Sequence, residues 1–250
     1  MTYCVAVAVD AGLVFASDSR TNAGIDQVST YSKMHIFGVA GERQFVLLSA
    51  GNLATTQSVV NRLRRDIETD ARVNLFKLAH LADAAEYLGQ INQRQQSKHA
   101  EQVAQAGFNP EATFILGGQI TSEPPAVYLV YPQGNYITTS AQTPFLQIGE
   151  GKYGKPILDR IIEPGTSLEV AARCCLVSMD STMRSNVSVG PPIELLIYQK
   201  NWLRLDRYRL FAEDDGCLLD LRRAWDKKLR EAFTDLPAVD CEMTAPPTVV

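Results

Sequence analysis

The 250-residue chain has no stretch of 18 or more strongly apolar residues, which excludes a conventional membrane-spanning helix. Its opening, Met1-Thr2-Tyr3, shows neither the positive start nor the apolar segment of a secretory signal, and a cytoplasmic protein is expected. Basic residues do not accumulate. Twenty-four Lys and Arg against 28 Asp and Glu leave a formal charge of -4, with no basic block beyond short clusters such as Arg62, Arg64 and Arg65, so no nucleic-acid partner is expected. The cysteines are few and odd in number, Cys4, Cys174, Cys175, Cys217 and Cys241, and none forms a Cys-x-x-Cys pair. That excludes a disulfide framework and a zinc site, and all five read as free thiols. His35, His80 and His99 are scattered outside any metal-ligand spacing and read as surface or satisfied positions, so no metal is expected. There is no internal repeat, linker or low-complexity segment to divide the chain. With 46% apolar and 21% charged residues, positions 1–236 are expected to form one domain and 237–250 a loosely held tail.

What is present is a run of short extended segments interrupted twice by helices. Thr2 to Val9 alternates, Asp10-Ala11-Gly12 punctuates, and Leu13 to Ser19 is again extended, which predicts a β-hairpin. A three-residue loop pairing Val9 with Leu13 would set Cys4 opposite Asp18 and Thr2 opposite Arg20, with Leu13 and Phe15 on the face of Tyr3, Val5, Val7 and Val9. A second hairpin is predicted over 34–39 and 44–49. Helical spacing follows at Val59, Val60, Leu63 and Ile67, and again from Leu78 to about Lys98. Period two returns over 112–118, 126–131, 136–139 and 145–148; helices follow over 155–162 and 168–179, then strands over 193–199 and 202–210, and a final helix over 218–233. Hairpins this short cannot be βαβ crossovers. The predicted class is α+β, a four-layer αββα sandwich of two antiparallel sheets, each covered by helices.

Chemistry first suggests itself at Thr2. Removal of Met1 would leave a free α-amine on the residue that carries the hydroxyl, placing a nucleophile and its base on one residue. An α-amine titrates near neutrality and can accept the hydroxyl proton directly or through a water. The hairpin brings Asp18 toward Thr2, and Lys33 follows in the next segment. A carboxylate holding an ammonium there would lower the amine's proton affinity and steady developing charge. A rival motif, Gly149-Glu150-Gly151-Lys152-Tyr153-Gly154, satisfies G-x-G-x-x-G. It follows antiparallel strands instead of opening a βαβ unit, and Glu150 would face a pyrophosphate. A glycine-permitted turn onto a helix is the better reading, and no cofactor is expected. Cys4 reads as a packed strand residue, Cys174 and Cys175 as core, and Arg222, Arg223, Lys227, Lys228 and Arg230 as the solvated side of the last helix.

Thr2 together with Leu13-Val14-Phe15-Ala16-Ser17-Asp18-Ser19-Arg20, Lys33 and Ser49-Ala50-Gly51 resembles the proteasome β-subunit group of N-terminal-nucleophile hydrolases. Thr2-Tyr3-Cys4-Val5-Ala6, Ser29-Thr30-Tyr31 and the stretch Ser178 to Asn186 are similar to the bacterial ancestral-β-subunit branch of that group, Anbu. The resemblance spans nearly the whole chain. It implies a threonine peptidase or amidohydrolase with Thr2 as nucleophile, Asp18 and Lys33 as charged support, and the Gly51 N–H as oxyanion donor at a helix N-terminus. It also implies that Asp180 and a following serine surround the amine. The family's serine three residues after the aspartate is Met183 here, so Ser188 is the preferred match, with Ser181 and Ser185 open; Lys33 comes one residue early. Ser49 would lie at the base of the primary specificity pocket. A peptide or protein substrate and self-association into a ring or spiral are implied as well, with any ATPase partner unspecified. Two other functions share these residues: a scaffold or binding subunit with negligible activity, which retention of Met1 would produce, and an acylase acting on non-peptide amides.

Overall fold

The computed structural model describes residues 1–22, 28–98 and 109–238. Of the expected tail 237–250, residues 239–250, with Cys241, lie outside the described residues, as does His99. In chain order the elements are β1 (Tyr3–Val9), β2 (Gly12–Asp18), β3 (Arg20–Asn22), β4 (Val28–Thr30), β5 (Met34–Val39), β6 (Arg43–Gly51), α1 (Leu53–Glu68), α2 (Leu81–Ser97), β7 (Ala112–Ile120), β8 (Ala126–Val130), β9 (Tyr136–Thr138), β10 (Phe145–Gly149), α3 (Lys155–Ile161), α4 (Leu168–Ser185), β11 (Ile193–Gln199), β12 (Tyr208–Phe211) and α5 (Gly216–Thr234).

Two five-stranded antiparallel sheets form the middle of the molecule, ordered β10-β1-β2-β11-β12 and β5-β6-β7-β8-β9, with β3-β4 as a small separate ribbon. Alternation along the strands divides their apolar residues among three buried layers. Cys4, Ala6, Leu13, Phe15, Val46, Leu48, Ile115 and Leu196 fill the space between the sheets. Phe45, Leu47, Phe114 and Leu116 turn outward to α1 and α2, meeting Val59, Leu63, Leu81 and Leu88. Tyr3, Val5, Val14, Ala16, Ile193 and Leu195 turn the other way, to Leu158 of α3, Cys175 and Met179 of α4 and Leu218 of α5. The result is the expected αββα sandwich. Among the described residues no helix is long and apolar enough to cross a membrane.

The first hairpin differs from expectation by one residue. Its loop has two residues, Asp10 and Ala11, so Val9 pairs with Gly12 and Cys4 with Ser17. A one-residue change of register moves every side chain of a strand to the other face. Leu13 and Phe15 therefore point between the sheets with Cys4 and Ala6, not with Tyr3 and Val5. Gly12 looks like turn punctuation in the sequence but works as a strand residue. It adopts φ +146°, and a Cβ there would lie 2.0 Å from the Tyr198 carbonyl oxygen of β11.

Two later boundaries also move. Helix α4 extends to Ser185, well beyond Met179, which keeps Asp180 on the helix. The final strand is only Tyr208–Phe211, because residues 200–207 form an irregular connection in which Leu203 O accepts from Gly41 N and Gln44 Nε2.

Candidate active site

The site grows from the open end of the β1–β2 ladder. The regular pairing begins at Cys4 and Ser17; one residue beyond it, Tyr3 N–H donates to Asp18 Oδ1 at 2.9 Å instead of to a strand carbonyl. This turns the fully buried Asp18 carboxylate toward the N-terminus. Lys33 reaches the same oxygen with its Nζ at 2.6 Å and also donates to Arg20 O at 2.6 Å, while Gly190 N–H donates to Asp18 Oδ2 at 3.3 Å. Lys33 is only 6% exposed, and Ser49 N–H on β6 holds its carbonyl at 3.0 Å. Burial pushes the Asp18 carboxyl up from its ordinary value, and Lys33 and the two amide donors oppose that shift.

Thr2 and Lys33 open onto a cavity of about 840 Å³ between β5, the end of β6 and the first turns of α1. Gly51 also lines it, immediately before Asn52, whose side chain caps α1 by accepting from Thr55 N at 3.1 Å. The structure therefore brings Thr2, Lys33 and Gly51 to one cavity, with Asp18 behind the lysine. The α-amine of Met1 is less basic than an ordinary terminal amine, first because it is partly buried and second because Lys33 is near. Cys4 lies among the same charges. Burial, then Asp18, push its thiol well up, so it stays protonated and packed, as its sequence position suggested.

Asp180 and Ser188 do not line this cavity. Asp180 is buried on α4 and faces α5, where Arg222 Nε lies 2.6 Å from its Oδ1. The expectation that it surrounds the amine is corrected by the longer helix, and Arg222, read as solvated, is an ion-pair partner. Ser188 sits in the loop after α4, where its backbone N–H donates to Asn186 Oδ1. Asn186 Nδ2 in turn donates to Glu150 Oε2 at 3.2 Å, and Glu150 N–H donates to Thr2 O at 2.7 Å. A Glu150–Asn186 pair thus borders the N-terminal strand. The glycine-rich turn serves the same contact: Gly149 adopts φ +80°, and a Cβ on it would lie 1.9 Å from Thr2 O.

Two further residues are not among the site residues to which the sequence points. Glu194 of β11 is buried and accepts from Ser32 Oγ at 2.9 and 3.0 Å and from Tyr208 OH at 2.9 Å, with Ser17 and Ser19 hydroxyls at 3.4 Å. It anchors the residue preceding Lys33. An acidic residue inside the apolar run Ile193-Glu194-Leu195-Leu196-Ile197 was the signal. His35 lines the cavity, contrary to its reading as a background histidine. Its two-residue spacing from Lys33 in an extended segment puts both on one side, which could have shown it. Burial, then Arg64, lower its imidazole to about 4. Cys174, Cys175 and Cys217 are free thiols, the first two buried.

A profile described as "Proteasome subunit" matches residues 2–198. The chain belongs to the proteasome subunit family. Within this proteasome family it is similar to the Anbu ancestral β-subunit from Yersinia bercovieri, at 41% identity and a TM-score of 0.91 over 97% of this chain and 100% of that one. It is similar also to Anbu from Pseudomonas aeruginosa, solved as a helical assembly, at 46% identity and a TM-score of 0.90 over 95% and 98% of the two chains. Anbu from Hyphomicrobium sp. strain MC1 shares 42% identity, with a TM-score of 0.86 over 96% and 100%. No curated protein matches the chain. The resemblance drawn from the proteasome-type hairpin and from the Ser178–Asn186 stretch is met over nearly the whole length.

Proposed function

We propose that this proteasome-type subunit is an N-terminal threonine amide-bond hydrolase of peptides, working in the cytoplasm as a homo-oligomer. The reading rests above all on the buried Lys33–Asp18 pair at 2.6 Å, set beneath a cavity that Thr2 and Gly51 also line. After Met1 is removed, the Thr2 hydroxyl attacks the substrate carbonyl while the Thr2 α-amine takes the proton. The same burial and the same ammonium that make the Met1 amine less basic would act on the Thr2 amine, leaving more of it neutral at physiological pH. Gly51 N–H, at the N-terminus of α1, would receive the developing oxyanion. The amine returns its proton to the leaving amine, and water then hydrolyses the Thr2 ester. Self-association finds support in the exposed apolar side chains Leu229 and Phe233 on α5 and Leu236 just after it, and in the helical assembly of the Pseudomonas aeruginosa relative.

One observation favours a second reading, a scaffold subunit with negligible activity: Asp180 is committed to Arg222, and Glu150 and Asn186 stand at the border of the N-terminal strand. Intact-mass measurement of the purified protein followed by treatment with a threonine-directed electrophile separates the two. Loss of Met1 and a single adduct mapped to Thr2 support the hydrolase. Retained Met1, or an unmodified Thr2 in protein lacking Met1, refutes it in favour of the scaffold.

A further inference from the structure

Among the described residues the walls of the cavity at Thr2 contain no Asp or Glu, and their charged side chains are Lys33 and Arg64. Lys33 is neutralised by Asp18. Arg64 has no such partner among the ion pairs of the described residues, whereas Arg62, on the same helix, is held by Asp66 at 2.8 Å. One stripe of α1, Gln57, Val60, Asn61 and Arg64, follows the i, i+3, i+4, i+7 spacing that puts side chains on a single helix face, and all four line the cavity. Arg64 stands eleven residues after Leu53 on this wall, roughly 16 Å along the helix axis. The Arg64 guanidinium therefore lies away from Gly51, at the part of the cavity where His35 is near enough to feel it. His35 is uncharged at neutral pH and can add a hydrogen bond without adding charge.

We propose that this end of the cavity binds a carboxylate, so that the site prefers peptides carrying an acidic side chain, held by the Arg64 guanidinium with His35 beside it. The proposal deepens the hydrolase reading and rests on it for the substrate being a peptide. A guanidinium with no carboxylate partner among the described residues is well matched to a planar anion, and its place far from the oxyanion donor assigns it to a side chain of the peptide, not to the reacting carbonyl.

Binding tests this without requiring turnover. Acetylated, fluorophore-bearing tetrapeptide amides with a single Glu at the first, second or third position are compared with their Gln counterparts on the full-length protein by fluorescence anisotropy. At least one Glu peptide is expected to bind about tenfold more tightly than its Gln twin, an advantage that shrinks with added salt. Arg64→Gln should erase the difference, and Arg64→Glu should reverse it toward a Lys peptide; because Arg64 is exposed, both variants should keep the wild-type melting temperature. Equal binding of every Glu and Gln pair, or an advantage untouched by Arg64→Glu, overturns the proposal. Failure of the hydrolase reading would look different, with no Thr2 adduct from any electrophile while the Glu preference persists.

Discussion

Asp18 and Asp180 are both buried carboxylates, and each has a cation 2.6 Å away, yet only the Asp18 pair, through Lys33, borders the cavity that Thr2 lines, whereas Asp180 lines a separate cleft of about 410 Å³ beside α5. Asp18 lies where the β1–β2 ladder opens, and its partner Lys33 is itself buried and borders the space beside Thr2. Asp180 lies along a helix, and its partner Arg222, on α5, has about a third of its side chain exposed. A close ion pair therefore says little about function by itself. The end of a sheet frees backbone N–H groups beside the N-terminus, whereas a helix–helix contact spends the same pair on holding two elements together.

The largest expected contrast is in reactivity. Lys33→Ala should slow modification of Thr2 by a threonine-directed electrophile by about 100-fold or more, since it removes the charge that steadies the nucleophile. Arg222→Ala should change that rate less than threefold by the same assay. Equal losses in the two variants would erase the distinction between the pairs.

Stability should separate them next. Asp18→Ala strands a buried ammonium and is expected to cost about 3–5 kcal/mol in urea unfolding, while Asp180→Ala leaves a part-exposed guanidinium that water can serve and should cost about 1 kcal/mol. A larger loss at Asp180 would mean that the helix contact is the stiffer of the two. Glu194→Gln sharpens the picture on the side of Asp18. It replaces a carboxylate that accepts from Ser32 and Tyr208 by an amide, at about 1–2 kcal/mol. Thr2 labelling should fall less than with Lys33→Ala, because the charge at Lys33 remains.

The smallest effect concerns acid. The His35 imidazole titrates at about 4 in the folded protein against 6.5 ordinarily, so between these values the unfolded chain binds the extra proton. The stability it contributes is full above pH 6.5 and is lost as pH falls toward 4. His35→Asn should flatten this part of the urea-midpoint profile, and an unchanged slope would place the acid sensitivity elsewhere.

Legibility in the sequence followed the range of the interactions. Strand and helix positions were readable because period two and the 3.6-residue repeat are local, and so the layers came out as expected. The hairpin loop was not, since Gly12 answers to a backbone approach from β11, nearly 190 residues away. Lys33 and Asp18 were legible through the short path between β2 and β5. Asp180 was not, because where α4 stops and which way it faces depend on its docking against α5.

By itself, then, the sequence determined the sandwich and placed a threonine, a carboxylate and an ammonium within one N-terminal neighbourhood, since alternation and a tight hairpin leave little choice. Only the tertiary structure decided which ion pair borders the cavity beside Thr2, that Glu194 anchors the segment before Lys33, and that Arg64 shares this cavity with His35 with no acidic partner among the described residues. Those outcomes depend on register between distant strands and on docking of whole helices, where one residue of slip turns a side chain to the opposite face.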